Sequence, residues 1–127
     1  MTALILLVED NELNRDMLSR RLLRANYRVI TAGDGEKALQ LIHDERPDVV
    51  LLDMNLPIKD GWTTCREVRG DPDIAATSIV ALTAHARDED RLKAMQAGCD
   101  DYATKPVDFP QLLQKIDQLA GNGDTPE

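Results

Sequence analysis

Ala3 to Val8 (ALILLV) is an unbroken apolar run that closes on Glu9-Asp10-Asn11. A short run without polar alternation predicts a strand buried on both faces, the condition of strands in parallel sheets. Asn11 is placed to cap a helix, on which Leu13, Met17, Leu18 and Leu22 spread a broad apolar face before a turn near Ala25-Asn26. Tyr27 and the β-branched Val29, Ile30 and Thr31 mark a second strand, Arg28 to Ala32. Between Gly35 and Glu45 the spacing of Ala38, Leu39 and Ile42 predicts a helix that Pro47 ends. Asp48 to Asp53 (DVVLLD) repeats the opening pattern, an apolar run closed by a carboxylate, and predicts a third buried strand. Pro57 and Gly61 punctuate the next loop. A helix from about Gly61 to Arg69, an Asp71-Pro72 turn, a strand Ser78 to Thr83 (SIVALT) and a helix from about Asp88 that Gly98 terminates then follow. Asp101 to Thr104 predicts a short fifth strand. Asp108 caps a last helix, whose Phe109, Leu112, Leu113, Ile116, Leu119 and Ala120 form the cleanest apolar stripe in the chain.

Strands alternating with helices in this way demand a parallel sheet covered on both faces, because each right-handed crossover lays its helix against the sheet. The expected fold is therefore α/β and doubly wound, flavodoxin-like, with five parallel strands in the order 2-1-3-4-5 and five helices. That order reverses between strands 1 and 3 and opens a crevice at their carboxyl ends, where Glu9, Asp10 and Asp53 stand. Residues 1–121 are expected to form one domain, with 122–127 as a flexible polar tail or the beginning of a linker.

Composition narrows the function classes. With 127 residues the chain suits one domain without a separate effector, and 43% hydrophobic residues are enough to fold. Asp and Glu number 23 against 15 Lys and Arg, a formal net charge of −8 that disfavours binding to nucleic acid or anionic membranes. The apolar run at the N-terminus is too short to span a bilayer and has no basic segment before it, so a cytoplasmic location is expected. Cys65 and Cys99 have no His or Cys at metal-ligand spacing and read as isolated packing residues in a reducing compartment.

Three carboxylates converging on one crevice repel one another unless a cation or proton compensates them. Mg²⁺, a hard ion with oxygen ligands and retained waters, is the natural partner for Asp10, Asp53, a backbone carbonyl of the following loop and Glu9 through water. Asp53 at a strand tip can also act as a nucleophile, since a carboxylate attacks phosphorus to form an acyl phosphate when a cation neutralises the developing charge. Lys105 at the end of strand 5 can supply positive charge to phosphoryl oxygens, and the Thr83 hydroxyl can donate to them. Asp10, Asp53, Thr83 and Lys105 each close a different strand at the same sheet edge.

From Leu4 to about Leu119 the chain resembles the receiver domains of two-component response regulators. LVEDN (Leu7 to Asn11) is similar to the family's acidic pair and LLDMNLPIKDGW (Leu51 to Trp62) to its phosphoacceptor loop. ALTAHA (Ala81 to Ala86) is similar to its hydroxyl switch and DDYATKPV (Asp100 to Val107) to its aromatic and Lys-Pro segment. The resemblance implies that Asp53 is phosphorylated by a histidine kinase or histidine phosphotransfer protein. It further implies that Glu9, Asp10, Asp53 and the Asn55 carbonyl hold Mg²⁺, that Lys105 contacts the phosphoryl group, and that the Lys105-Pro106 peptide is cis. Thr83 and Tyr102 would form the switch that repacks the surface of helix 4, strand 5 and helix 5 toward a downstream protein, while Asn55 and His85 tune dephosphorylation. Two alternatives share parts of this site: a receiver belonging to a hybrid histidine kinase, and an Asp-nucleophile, Mg²⁺-dependent phosphatase. The phosphatase would want a second acid where this chain has Asn55.

Overall fold

The computed structural model of the protein describes residues 2–84 and 88–120. His85 and the tail expected at 122–127 lie outside the described residues. Five strands, β1 (Leu4–Val8), β2 (Arg28–Ala32), β3 (Val49–Asp53), β4 (Ser78–Thr83) and β5 (Asp101–Thr104), alternate with α1 (Glu12–Arg24), α2 (Gly35–Glu45), α3 (Gly61–Gly70), α4 (Asp88–Gln96) and α5 (Phe109–Ala120). All strand pairs are parallel, and the order is β2-β1-β3-β4-β5, the doubly wound arrangement expected from the sequence. Among the described residues no helix is long and apolar enough to cross a membrane.

The apolar runs explain the layering. Successive side chains of a strand point to opposite faces, and in β1 Ile5 and Leu7 enter one core while Leu6 and Val8 enter the other. The same division holds for Val49 and Leu51 against Val50 and Leu52 of β3, and for Val80 and Leu82 against Ile79 and Ala81 of β4. On one face α2, α3 and α4 close the core with Ala38, Ile42, Cys65, Val68 and Ala94. On the other, α1 and α5 close it with Leu22, Leu112 and Ile116. Each fully buried Val, Leu or Ile among them is worth about 1.5–3 kcal/mol relative to an exposed one.

Asn11, Asp34 and Asp60 cap α1, α2 and α3 by accepting from the backbone N–H of Asn14, Lys37 and Thr63, and Asp108 accepts from Gln111 N at the start of α5. Arg46 ends α2 in a left-handed conformation just before Pro47. Gly98 (φ 107) makes the turn after α4, where a side chain would also collide with the Arg69 stem.

Two readings from the sequence need correction. Leu13 and Met17 were expected on the buried face of α1, yet both are exposed, and the helix buries Leu22 with Leu18 half-buried. The reason is phase: at about 100° per residue Leu13 and Met17 point roughly 180° and 140° away from Leu22, whereas Arg15, Leu18 and Ser19 share its inward side. The two cysteines are not isolated: Cys65 on α3 and Cys99 after α4 are both buried, with their sulfurs 3.5 Å apart.

Candidate functional site

Glu9, Asp10 and Asp53 reach the carboxyl edge of the sheet because two neighbouring apolar strands end there. The pairing of β1 with β3 puts Val8 beside Leu52, so the residues that follow each strand face the same crevice. One carboxylate oxygen from each of the three acids lies within 4.8 Å of the others. Glu9 and Asp53 are buried, whereas Asp10 is exposed. Glu9 also ties the entry to α1, accepting from Asn11 N at 3.1 Å.

Lys105 arrives from β5, beyond β4, and is the cation that meets this cluster. Its ammonium donates to Asp53 Oδ2 at 2.8 Å and to Glu9 Oε1 at 3.1 Å. Burial works against that ammonium, yet the hydrogen bonds to Asp53 and Glu9 hold its pKa above the usual lysine value. Burial raises the Glu9 carboxyl, and the nearby Asp53 charge adds to the rise, although Asn11 N–H and Lys105 oppose it. Three acids against one ammonium leave the pocket negative. Such a donor set, all oxygen, partly buried and open to water at Asp10, fits a hard divalent cation that keeps several waters.

The loop after β3 is shaped around Asp53. Asn55 is exposed, and its backbone N–H donates to Asp53 Oδ1 at 3.0 Å. Ile58 takes φ 67, a region that costs a β-branched residue about 1–3 kcal/mol and that clusters at functional loops. Gly61 N bonds Met54 O at 3.1 Å, so α3 begins directly against the end of β3. A Cβ at Gly61 would lie 2.6 Å from the Asp53 carbonyl oxygen, which excludes any side chain there.

Thr83 is buried at the end of β4, one residue beyond Leu82, the partner of Asp53, and its carbonyl accepts from Lys105 N at 2.8 Å. The Lys105-Pro106 peptide is cis. Tyr102 on β5 is half-buried and lies between two cations, with Arg91 5.2 Å and Lys115 5.6 Å from its ring centroid. Its placement is thus apart from the acidic pocket, on the α4-β5-α5 side. Trp62, in the first turn of α3, packs on the core with the Lys93 ammonium 4.7 Å from its ring centroid.

Arg15 escaped the sequence reading. Its guanidinium donates to the Glu9 carbonyl oxygen at 3.0 Å and braces the β1–α1 corner. The only signal was its position one turn after Asn11. Beside the acids, Met17, Leu18 and Arg21 of α1 and Pro106 and Val107 line a cleft of about 480 Å³ that Glu9 and Lys105 also border.

Lys105→Ala is expected to destabilise the metal-free protein by about 1–3 kcal/mol. Removing one partner of a buried ion pair costs about 3–5 kcal/mol, and the 29% exposure of the Lys105 side chain reduces that figure. Urea unfolding with a chelator and then with Mg²⁺ checks it: Mg²⁺ should recover more stability in the variant than it adds to the parent. A variant as stable as the parent in chelator would mean that Lys105 does not balance these acids.

Residues 5–117 match the family model described as the response regulator receiver domain. The response regulator PleD of Caulobacter vibrioides is 37% identical over 119 residues, which are 94% of this chain and 26% of PleD. The chain spans less than half the length of the curated relatives it matches, 43% in the larger case. The receiver domain of a sensor histidine kinase from Pseudomonas aeruginosa PAO1, solved with a magnesium ion coordinated in its active-site cleft, superposes with a TM-score of 0.87 at 36% identity, covering 95% of this chain and 99% of that one. The chemotaxis response regulator CheY4 of Vibrio cholerae does so with a TM-score of 0.87 at 30% identity, covering 94% of this chain and 99% of that one. With its sheet order, its length of match and its acidic crevice in agreement, the chain belongs to the receiver domain family of two-component response regulators.

Proposed function

We propose that the domain accepts a phosphoryl group on Asp53 from a phosphohistidine of a histidine kinase or histidine phosphotransfer protein, and that Mg²⁺ assists. The observation that carries this reading is the constellation at the strand ends: three acids within 4.8 Å and a lysine ammonium bonded to two of them. An Asp53 carboxylate oxygen attacks phosphorus, the phosphorus–nitrogen bond breaks, and its electron pair stays on the imidazole, which is then protonated. Glu9, Asp10, Asp53 and the Asn55 carbonyl would hold Mg²⁺. When bound, the ion neutralises charge on the phosphoryl oxygens and offsets the repulsion among the acids.

Lys105 is poised for a change of partner. Its ammonium, now shared by Asp53 and Glu9, needs only side-chain rotation to follow the negative charge onto a phosphoryl oxygen. The Thr83 hydroxyl would donate to another of these oxygens. Its shift leaves room for Tyr102 to turn inward, a redistribution between existing states that alters the α4-β5-α5 surface read by a downstream protein. Asn55, and His85 two residues after Thr83, would set how readily water reaches the phosphoryl group. The cleft between α1 and the β5–α5 loop, apolar at Met17, Leu18, Pro106 and Val107, offers a seat beside Asp53 for the histidine-bearing partner.

The test uses a small acyl phosphate donor. With Mg²⁺ the protein should gain the mass of one phosphoryl group, and hydroxylamine should remove it, as it does from acyl phosphates. Uptake that is indifferent to chelation, or a product stable to hydroxylamine, would overturn the reading.

A further inference from the structure

Cys65 and Cys99 take no part in the site described above, and their placement is not that of incidental core residues. Cys65 lies on the inner face of α3, Cys99 in the turn between α4 and β5, and both belong to the core shared by α2, α3 and α4. Their sulfurs are 3.5 Å apart, with Cys99 donating to Cys65. A disulfide has its sulfurs about 2.05 Å apart, so the two have to approach by about 1.5 Å to bond.

The approach is held from both sides by Arg69, one helical turn after Cys65. Its Nε donates to the Gly98 carbonyl at 2.7 Å, and its terminal nitrogens reach the Asp100 carboxylate at 2.9 Å and the Ala75 and Thr77 carbonyls at 2.8 and 2.6 Å. The residues before and after Cys99 are therefore pinned to the helix that carries Cys65. Cys99 N bonds Ala94 O at 3.1 Å and Asp100 N bonds Ile79 O at 2.8 Å, which fixes the turn against α4 and β4 as well.

We propose that Cys65 and Cys99 form a redox-active dithiol that a hydroperoxide converts into an intramolecular disulfide tying α3 to the α4–β5 turn. The two thiols titrate as a pair. The hydrogen bond from Cys99 and the positive charge of Arg69 lower Cys65 against its burial, while the second ionisation, at Cys99, is driven far up by that same hydrogen bond and by burial. Because both thiols are buried, a hydroperoxide reaches them through local opening of the turn around Cys99, and the attacking sulfur is that of Cys65, which accepts the Cys99 S–H. Its thiolate takes the terminal oxygen of the hydroperoxide, the oxygen–oxygen bond breaks, and the departing oxygen takes up the proton that Cys65 released. The Cys99 sulfur then attacks the resulting sulfenic acid, the sulfur–oxygen bond breaks, and the hydroxide leaves as water with the Cys99 proton. Each thiol has lost one hydrogen, and hydrogen peroxide has become two waters.

The linked turn leads into β5 and Tyr102. The effect of the bond on signalling rests on the proposed movement of that region, whereas formation of the bond does not.

The test exposes the native full chain to hydrogen peroxide, unfolds it, alkylates the remaining thiols, and reads intact mass and a proteolytic map. The expected result is a monomer lighter by two hydrogens with no alkylation and one peptide pair linked through Cys65 and Cys99; a phosphine should return both to alkylatable thiols. Cys65→Ser and Cys99→Ser should each abolish the loss of two hydrogens. If either variant fails to fold, the map of the parent protein still decides. Two thiols as alkylatable as before exposure would overturn the proposal. So would oxygen added to one cysteine with the other still free, or linkage only between two chains. Phosphoryl uptake measured on the same samples reports separately on Asp53, so failure of one reading is distinguishable from failure of the other.

Discussion

Asp53→Asn is expected to abolish phosphoryl uptake from an acyl phosphate donor, from one group per chain to none. The substitution keeps the shape of the side chain but replaces the nucleophilic oxygen pair with an amide, whose nitrogen lone pair is delocalised and whose oxygen carries no full charge. No collapse of the fold should obscure the result. Asp53 is only 3% exposed and crowded by Glu9 and Asp10, so neutralising it relieves repulsion, while Lys105 keeps its bond to Glu9. Urea unfolding without metal should place the variant within about 1 kcal/mol of the parent or above it. Intact mass after incubation with donor and Mg²⁺ is the measurement. Labelling of the variant equal to that of the parent would remove Asp53 as the acceptor.

Asp10→Asn should weaken Mg²⁺ binding by about tenfold or more. Two unit charges about 4 Å apart interact by roughly 4 kcal/mol at the effective dielectric near a protein surface, and a dication doubles the interaction. Asp10 is exposed, so water screens much of this, and a residual loss of about 1.4 kcal/mol already corresponds to tenfold. Calorimetry gives the affinity directly, and Trp62, in the first turn of α3 beyond the Asp53 loop, offers a fluorescence signal. An unchanged affinity would place the ion elsewhere. Because Asp10 is not bonded to Lys105 in this arrangement, the experiment separates metal binding from the ion-pair balance tested by Lys105→Ala.

The two substitutions divide the pocket into a buried part and a wet part. Glu9, Asp53 and Lys105 form a bonded group in which the two carboxylates are shielded from water and the ammonium is partly open to it. Asp10 stands at the mouth, where a ligand exchanges water without breaking that group. One pocket can in this way remain folded without metal and still bind it.

Strand positions, layer order and the location of the acidic crevice were legible along the chain, because burial on both faces demands uninterrupted apolar runs and the polar residue ending each run has to sit at the sheet edge. Glu9, Asp53 and Lys105 announce themselves at such ends. Parallel pairing, a property of helical crossovers long enough to return the chain to its starting edge rather than of any single residue, then carries them to the same rim. What only the tertiary structure decided are relations between segments far apart in sequence. Leu13 and Met17 read as core beside Leu18 and Leu22, yet they are exposed because α1 settles on the sheet with the side that carries Arg15, Leu18, Ser19 and Leu22. Lys105 bonds Glu9 as well as Asp53, Arg15 braces the β1–α1 corner, and Arg69 brings Cys65 to Cys99. Periodicity along a chain reports which face is apolar, because burial acts on each element alone. It carries no record of which two side chains meet, since that depends on how the elements pack together.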